Sequence, residues 1–162
     1  MHLNRVTVHV LEHFKDSPAI KTLPAGTTIF RAGDPGDFVY ILMDGQANLL
    51  VGKTIVEVAV RGNLLGEIAL IDGKPRSATV VTRTQSRVLP IDAADFERLV
   101  RDMPEFTRYV LTSMAERMRR MNDNLRAAQT IEGVNARVST NTSLSMEEDA
   151  TLPPVPPKPP RA

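Results

Sequence analysis

Apolar residues recur along this chain with two different periods, and the change of period divides it. Val6, Val10, Leu11 and Phe14 fall at helical spacing between about Asn4 and Lys15, and Asp16-Ser17-Pro18 ends the run. This predicts a short packing helix in an N-terminal segment, residues 1–17. From Ala19 to Ile91 short β-rich runs take over, at about 19–23, 27–31, 38–43, 46–51, 55–60, 78–82 and 86–91. Pro24-Ala25-Gly26, Gly33 to Asp37, Asp44-Gly45, Gly52-Lys53 and Asp72-Gly73 supply the turns between them. A strand roughly every 8–12 residues predicts a sandwich or barrel. Phe38 to Met43 is apolar on both faces. One side should therefore line the barrel while the other is covered by helices.

The helical period returns at Asp92. That residue is placed to cap a helix bearing Phe96, Leu99 and Val100 on one face, and Pro104 starts a second helix. Along it Val110, Met114, Met118, Met121, Leu125 and Ala128 form one apolar stripe. Such a stripe either folds over the barrel mouth or pairs with a second copy as a homodimer through residues 104–128. From Gln129 the periodicity ends and Ser, Thr, Asn and Pro dominate. Residues 129–162 are expected to be a disordered tail. Its segment Pro153 to Lys158 favours polyproline II and, with Lys158 as a basic anchor, suits a protein partner with a PxxP-binding groove.

Composition narrows the classes. A chain of 162 residues suits one compact domain plus appendages. Lys+Arg 20 against Asp+Glu 19 gives no basic field for nucleic acid or an anionic membrane. Absence of cysteine excludes disulfides, thiolate metal sites and cysteine nucleophiles, and fits a reducing, cytoplasmic setting. No signal peptide and no membrane span are expected, because neither an apolar h-region nor a run of about 18 apolar residues occurs. His9, Glu12 and His13 fit an H-x-x-E-H pattern, yet no third ligand on a supporting helix is evident. They read as histidines on a packing helix, and no metal is expected.

Residues 62–80 hold the candidate chemistry. Gly66 permits a tight backbone, and Glu67 to Ile71 is long enough for about one or two helical turns, whose first N–H groups an anion can satisfy. Asp72-Gly73 and Pro75 stop that helix, and Ser77 to Thr82 has the β-branched content of a strand. Arg76 therefore sits where the chain re-enters a sheet. From there a guanidinium can grip a phosphate through two parallel hydrogen bonds, while the Glu67 carboxylate can accept from a sugar hydroxyl. A small sugar phosphate satisfies both.

Leu65-Gly66-Glu67-Ile68-Ala69-Leu70 followed by Pro75-Arg76-Ser77-Ala78-Thr79-Val80 resembles the phosphate-binding cassette of cyclic nucleotide-binding domains. That family includes bacterial catabolite activators, protein kinase A regulatory subunits and gated channels. Ala32 to Asp37, Tyr40 and Gly45 resemble its turns and strand, so the likeness covers about residues 18–127. It departs at Leu65, where the family more often has Phe. The resemblance implies a mainly β fold with flanking α: an antiparallel, jelly-roll-like β-roll over 18–91 with a short cassette helix, then two helices over 92–128. It implies a non-catalytic regulatory module in which Arg76 holds the exocyclic phosphate oxygens. Backbone N–H groups around Gly66, Ile68, Ala69 and Ala78, with the Ser77 hydroxyl, complete the cradle. Glu67 would hold the ribose 2′-OH, and Met118, Arg119 and Asn122 are candidates to cap the base. Ser77 resembles cassettes that prefer cAMP, with cGMP the alternative ligand. A nucleotide-free scaffold is disfavoured, since it needs neither Glu67 nor Arg76. No helix-turn-helix pattern follows the long helix, so sequence-specific DNA binding is not expected.

Overall fold

The computed structural model describes residues 3–148, and the side chains of residues 3–130. Helix α1 spans Arg5–Phe14, and Asn4 caps it by accepting the Thr7 N–H at 2.8 Å. Eight strands follow: β1 Lys21–Leu23, β2 Thr28–Phe30, β3 Phe38–Asp44, β4 Gln46–Val51, β5 Thr54–Val60, β6 Leu64–Leu65, β7 Thr79–Thr82 and β8 Ser86–Asp92. Helix α2, Glu67–Asp72, lies between β6 and β7; α3, Ala93–Asp102, and α4, Pro104–Glu148, follow β8. The strands form two antiparallel four-stranded sheets, ordered β1-β8-β3-β6 and β2-β7-β4-β5. This is the expected β-roll with flanking helices.

Two apolar clusters explain why β3 is hydrophobic on both faces. Leu42 joins Phe30, Ala47, Leu49, Ala59, Leu65, Val80 and Val88 in one cluster, drawn from both sheets. Val39, Ile41 and Met43 join the other, with Val10 and Leu11 of α1, Phe96 of α3, and Phe106, Tyr109 and Val110 of α4. Alternation along a strand sends successive side chains to opposite faces, so neither set can be polar. Strand β6 repeats the division in two residues, Leu64 entering the helix-side cluster and Leu65 the other.

Three boundaries differ from expectation. β1 starts at Lys21, later than the predicted 19, and the two-residue β6 was not anticipated as a strand. Helix α4 runs to Glu148, where residues 129–162 were expected to be disordered from their start. Loss of an apolar stripe tells where a helix stops packing; only a breaker stops the helix itself. No proline occurs between Glu105 and Leu152, and Gly133 is the single glycine there. The proline-rich segment lies outside the described residues. The chain divides into two compact units, Met1–Glu116 and Arg117–Ala162, with the boundary inside α4.

Candidate functional site: a cassette around a buried arginine

The cassette, residues 62–80, is laid down by β6, α2 and the approach to β7. β6 pairs with β3, Tyr40 opposite Leu65 and Ile41 opposite Leu64, which anchors its entrance. Gly66 then takes φ +82° and ψ 12° as N-cap of α2, a left-handed conformation that favours glycine. A second demand falls on the same residue, because a Cβ there would collide with Nη1 of Arg76 and lie 3.1 Å from Cε1 of Phe30. Gly36 plays a related part for α2: a Cβ on it would stand 2.5 Å from the Cβ of Ala69, so its lack of side chain lets α2 seat against the β2–β3 connection.

That connection also positions Arg76. The Arg76 N–H donates to the Asp34 carbonyl at 2.9 Å, and its own carbonyl accepts from Gly33 N–H at 2.8 Å. Asp34 is held in turn, its Oδ2 accepting the Arg31 N–H at 2.9 Å. The side chain is 5% exposed. Nη1 donates to the Gly66 carbonyl at 2.7 Å and Nη2 to the Phe38 carbonyl at 2.5 Å. The guanidinium carbon stands 4.3 Å from the centroid of the Phe30 ring. Nε is buried with no hydrogen-bond partner, and among the described residues no carboxylate forms an ion pair with Arg76. Burial pulls the guanidinium pKa down from its ordinary value, opposed by the charges of Tyr40, Asp37, Asp34 and Glu67. Burial likewise pushes the Tyr40 phenol up, and Arg76 opposes it.

A guanidinium has five N–H donors in one plane. Two are engaged by neutral carbonyls, and the charge itself is met only by dipoles, a ring face and carboxylates beyond ion-pair distance. This is the electrostatic setting of an anion site. Glu67 opens α2 and is 1% exposed, a carboxylate at the positive end of a helix. Ala69 is buried, Ala78 half-buried, and Ile68 and Ser77 exposed. The structure thus brings Gly66 and Arg76 together through one hydrogen bond, with Glu67 the next residue along the chain from Gly66. An open groove of about 400 Å³ runs between the 33–37 turn, α2 and the start of α3; Ala69 lines it, and Glu67, Arg76 and Ser77 do not. Met118, Arg119 and Asn122 lie on α4 in the second compact unit, Met118 and Arg119 exposed and Asn122 also exposed. Glu12 of the H-x-x-E-H pattern pairs with Lys15 at 3.0 Å.

Three parts of the site escaped the sequence reading. In the sequence the Gly33–Asp34 pair signals only a turn, yet it grips the Arg76 backbone. Phe30 and the Phe38 carbonyl belong to distant strands, and nothing local marks them as arginine partners.

Residues 20–103 match the family model described as the cyclic nucleotide-binding domain, and the chain belongs to that family. It is 36% identical over 97 residues to a cyclic nucleotide-gated potassium channel of Rhizobium etli, covering 60% of this chain and 27% of the channel. It is 40% identical over 89 residues to a cAMP-dependent protein kinase regulatory subunit of Aspergillus niger, covering 52% and 21%. Among solved structures, a c-di-GMP-responsive global regulator of Xanthomonas campestris shares the fold with TM-score 0.65 at 22% identity, over 75% of this chain and 63% of that one. The chain therefore spans 21–27% of the length of these two curated relatives. No described helix is long and apolar enough to cross a membrane.

Proposed function

We propose that this domain is a cytoplasmic, non-catalytic sensor that binds a 3′,5′-cyclic nucleotide, cAMP in preference to cGMP, and relays binding to movement of the C-terminal helices, residues 92–128. The observation that carries this reading is Arg76: a guanidinium 5% exposed, hydrogen-bonded only to carbonyls, with a buried Nε lacking a partner. A buried cation in such surroundings gains most from an anion, because charge-assisted hydrogen bonds are strong where water is excluded. Arg76 would pair with the exocyclic phosphate oxygens. N–H groups around Ile68, Ala69 and Ala78 and the Ser77 hydroxyl would surround the remaining oxygens, and Glu67 would accept from the ribose 2′-OH. Similarity to a regulatory subunit named as cAMP-dependent supports the choice of ligand. Met118, Arg119 and Asn122 are the candidates for contact with the base.

The exposed apolar positions of α4 support a homodimer. Leu111, Met118, Met121 and Leu125 are 59–65% exposed, and a second copy aligned along residues 104–128 would cover them. The binding assignment is tested by calorimetric titration of cAMP and cGMP into wild type, Arg76→Ala and Glu67→Ala. Truncating Arg76 should weaken cAMP binding by roughly 2–5 kcal/mol, and unchanged affinity would sink the assignment. Tighter binding of cGMP than of cAMP would overturn the stated preference.

A further inference from the structure

Arg76 is held by more than its two hydrogen bonds, and the additional element is an aromatic ring. Bonds from Nη1 to the Gly66 carbonyl and from Nη2 to the Phe38 carbonyl fix two atoms of the guanidinium. Two fixed atoms define a line, about which the plane can still tilt. A phosphate pairs with a guanidinium edge-on, through N–H groups lying in that plane, so tilt matters to binding. The guanidinium carbon lies over the Phe30 ring, 4.3 Å from its centroid and within cation–π range.

We propose that Phe30 is a positioning residue of the anion site, its ring setting the tilt of the Arg76 guanidinium so that the remaining N–H edge, Nε included, meets the ligand phosphate. The inference rests on the cyclic nucleotide reading above. Phe30 is itself well fixed. It ends β2, lies opposite Val80 of β7, and is 9% exposed among Leu42, Leu65 and Val80. It also meets the Tyr40 ring, stacked at 5.9 Å between centroids with planes 29° apart. Gly66 completes the arrangement, since a side chain there would intrude on both the ring and Nη1. With the guanidinium carbon over the ring, an anion cannot approach that carbon from the side the ring occupies. The electron-rich face also meets the charge in a place where no carboxylate does so at ion-pair distance.

A double-mutant cycle tests this on the full chain, using Phe30→Leu, Arg76→Met and the pair, with Arg76→Gln replacing Arg76→Met should the latter not fold. Affinity for cAMP is read by displacement of a fluorescent cyclic nucleotide, and stability by urea unfolding with no nucleotide added. Phe30→Leu should weaken cAMP binding about 3- to 30-fold beside Arg76, the range of a desolvated cation–π contact, and less than about twofold once Arg76 is replaced. A ring that only filled the core would cost the same in both backgrounds, and that result, or wild-type affinity in Phe30→Leu, overturns the proposal. Failure of the wild type to bind cAMP would overturn the ligand reading instead. The unfolding cycle then still judges the pairing: the two substitutions should be non-additive by at least about threefold in the unfolding constant, and additivity would overturn it.

Discussion

Gly66 carries two requirements that only a missing side chain meets, a positive φ and room for the guanidinium. Alanine there adopts a left-handed conformation at about 1–2 kcal/mol and pushes Nη1 of Arg76 away from the Gly66 carbonyl. We expect Gly66→Ala to fold with that modest loss in urea titration, while cAMP affinity falls at least about tenfold, as displacing a charge-assisted donor warrants. Affinity within twofold of wild type would show that the guanidinium does not need the space. Gly66, Glu67 and Arg76 were legible in the sequence because their identities and spacing lie within one short segment. The Phe38 carbonyl was not: it is 38 positions from Arg76, and every residue has a carbonyl. Phe30 was equally silent, since a phenylalanine ending a β-rich run reads as core, which it also is.

Strand β3 shows how far a pattern at the scale of an element can be trusted. Its unbroken apolar run implied cover on both faces, and Ile41 and Leu42, both fully buried, go to separate clusters. Ile41→Ala and Leu42→Ala should each cost about 2–5 kcal/mol in denaturant unfolding, the usual loss for a large aliphatic core side chain. A near-neutral result for either would mean that one face lacks its cover. The cap of α3 was equally readable. Asp92 accepts the Asp95 N–H at 2.8 Å at the start of α3, and Asp92→Ala should lose about 1 kcal/mol by the same measurement. Legibility failed where period and breaker disagree. Two residues of β6 are too few to show alternation, and their strand character comes from pairing with β3. The end of α4 follows no loss of stripe, and the chain meets no proline between Pro104 and Pro153.

Across the whole molecule, the cassette and the helices share one apolar cluster, and this makes relay testable. Leu64 and Leu70 pack with Phe96 of α3 and with Phe106 and Tyr109 of α4. A directional link reinforces the packing: the Tyr109 hydroxyl, 1% exposed, donates to the Gly62 carbonyl at 3.0 Å, where the cassette begins. Asn4, while capping α1, donates through Nδ2 to Glu116 of α4 at 3.1 Å. A ligand moves such an assembly only through contacts that differ between two arrangements. In the proposed relay, phosphate drawn onto Arg76 would act on Gly66, whose carbonyl Arg76 holds, and through α2 on Leu70 and the helices beyond. We expect cAMP to change amide hydrogen exchange in residues 92–116, and no change there would sink the relay. Tyr109→Phe keeps the ring in the cluster and deletes the donor to Gly62. Binding should persist within about tenfold, consistent with loss of a single buried hydrogen bond, while the ligand-induced exchange change in residues 104–116 shrinks by at least about half. An undiminished response in Tyr109→Phe would show that the relay does not need the Tyr109–Gly62 hydrogen bond and would leave it to the shared apolar cluster.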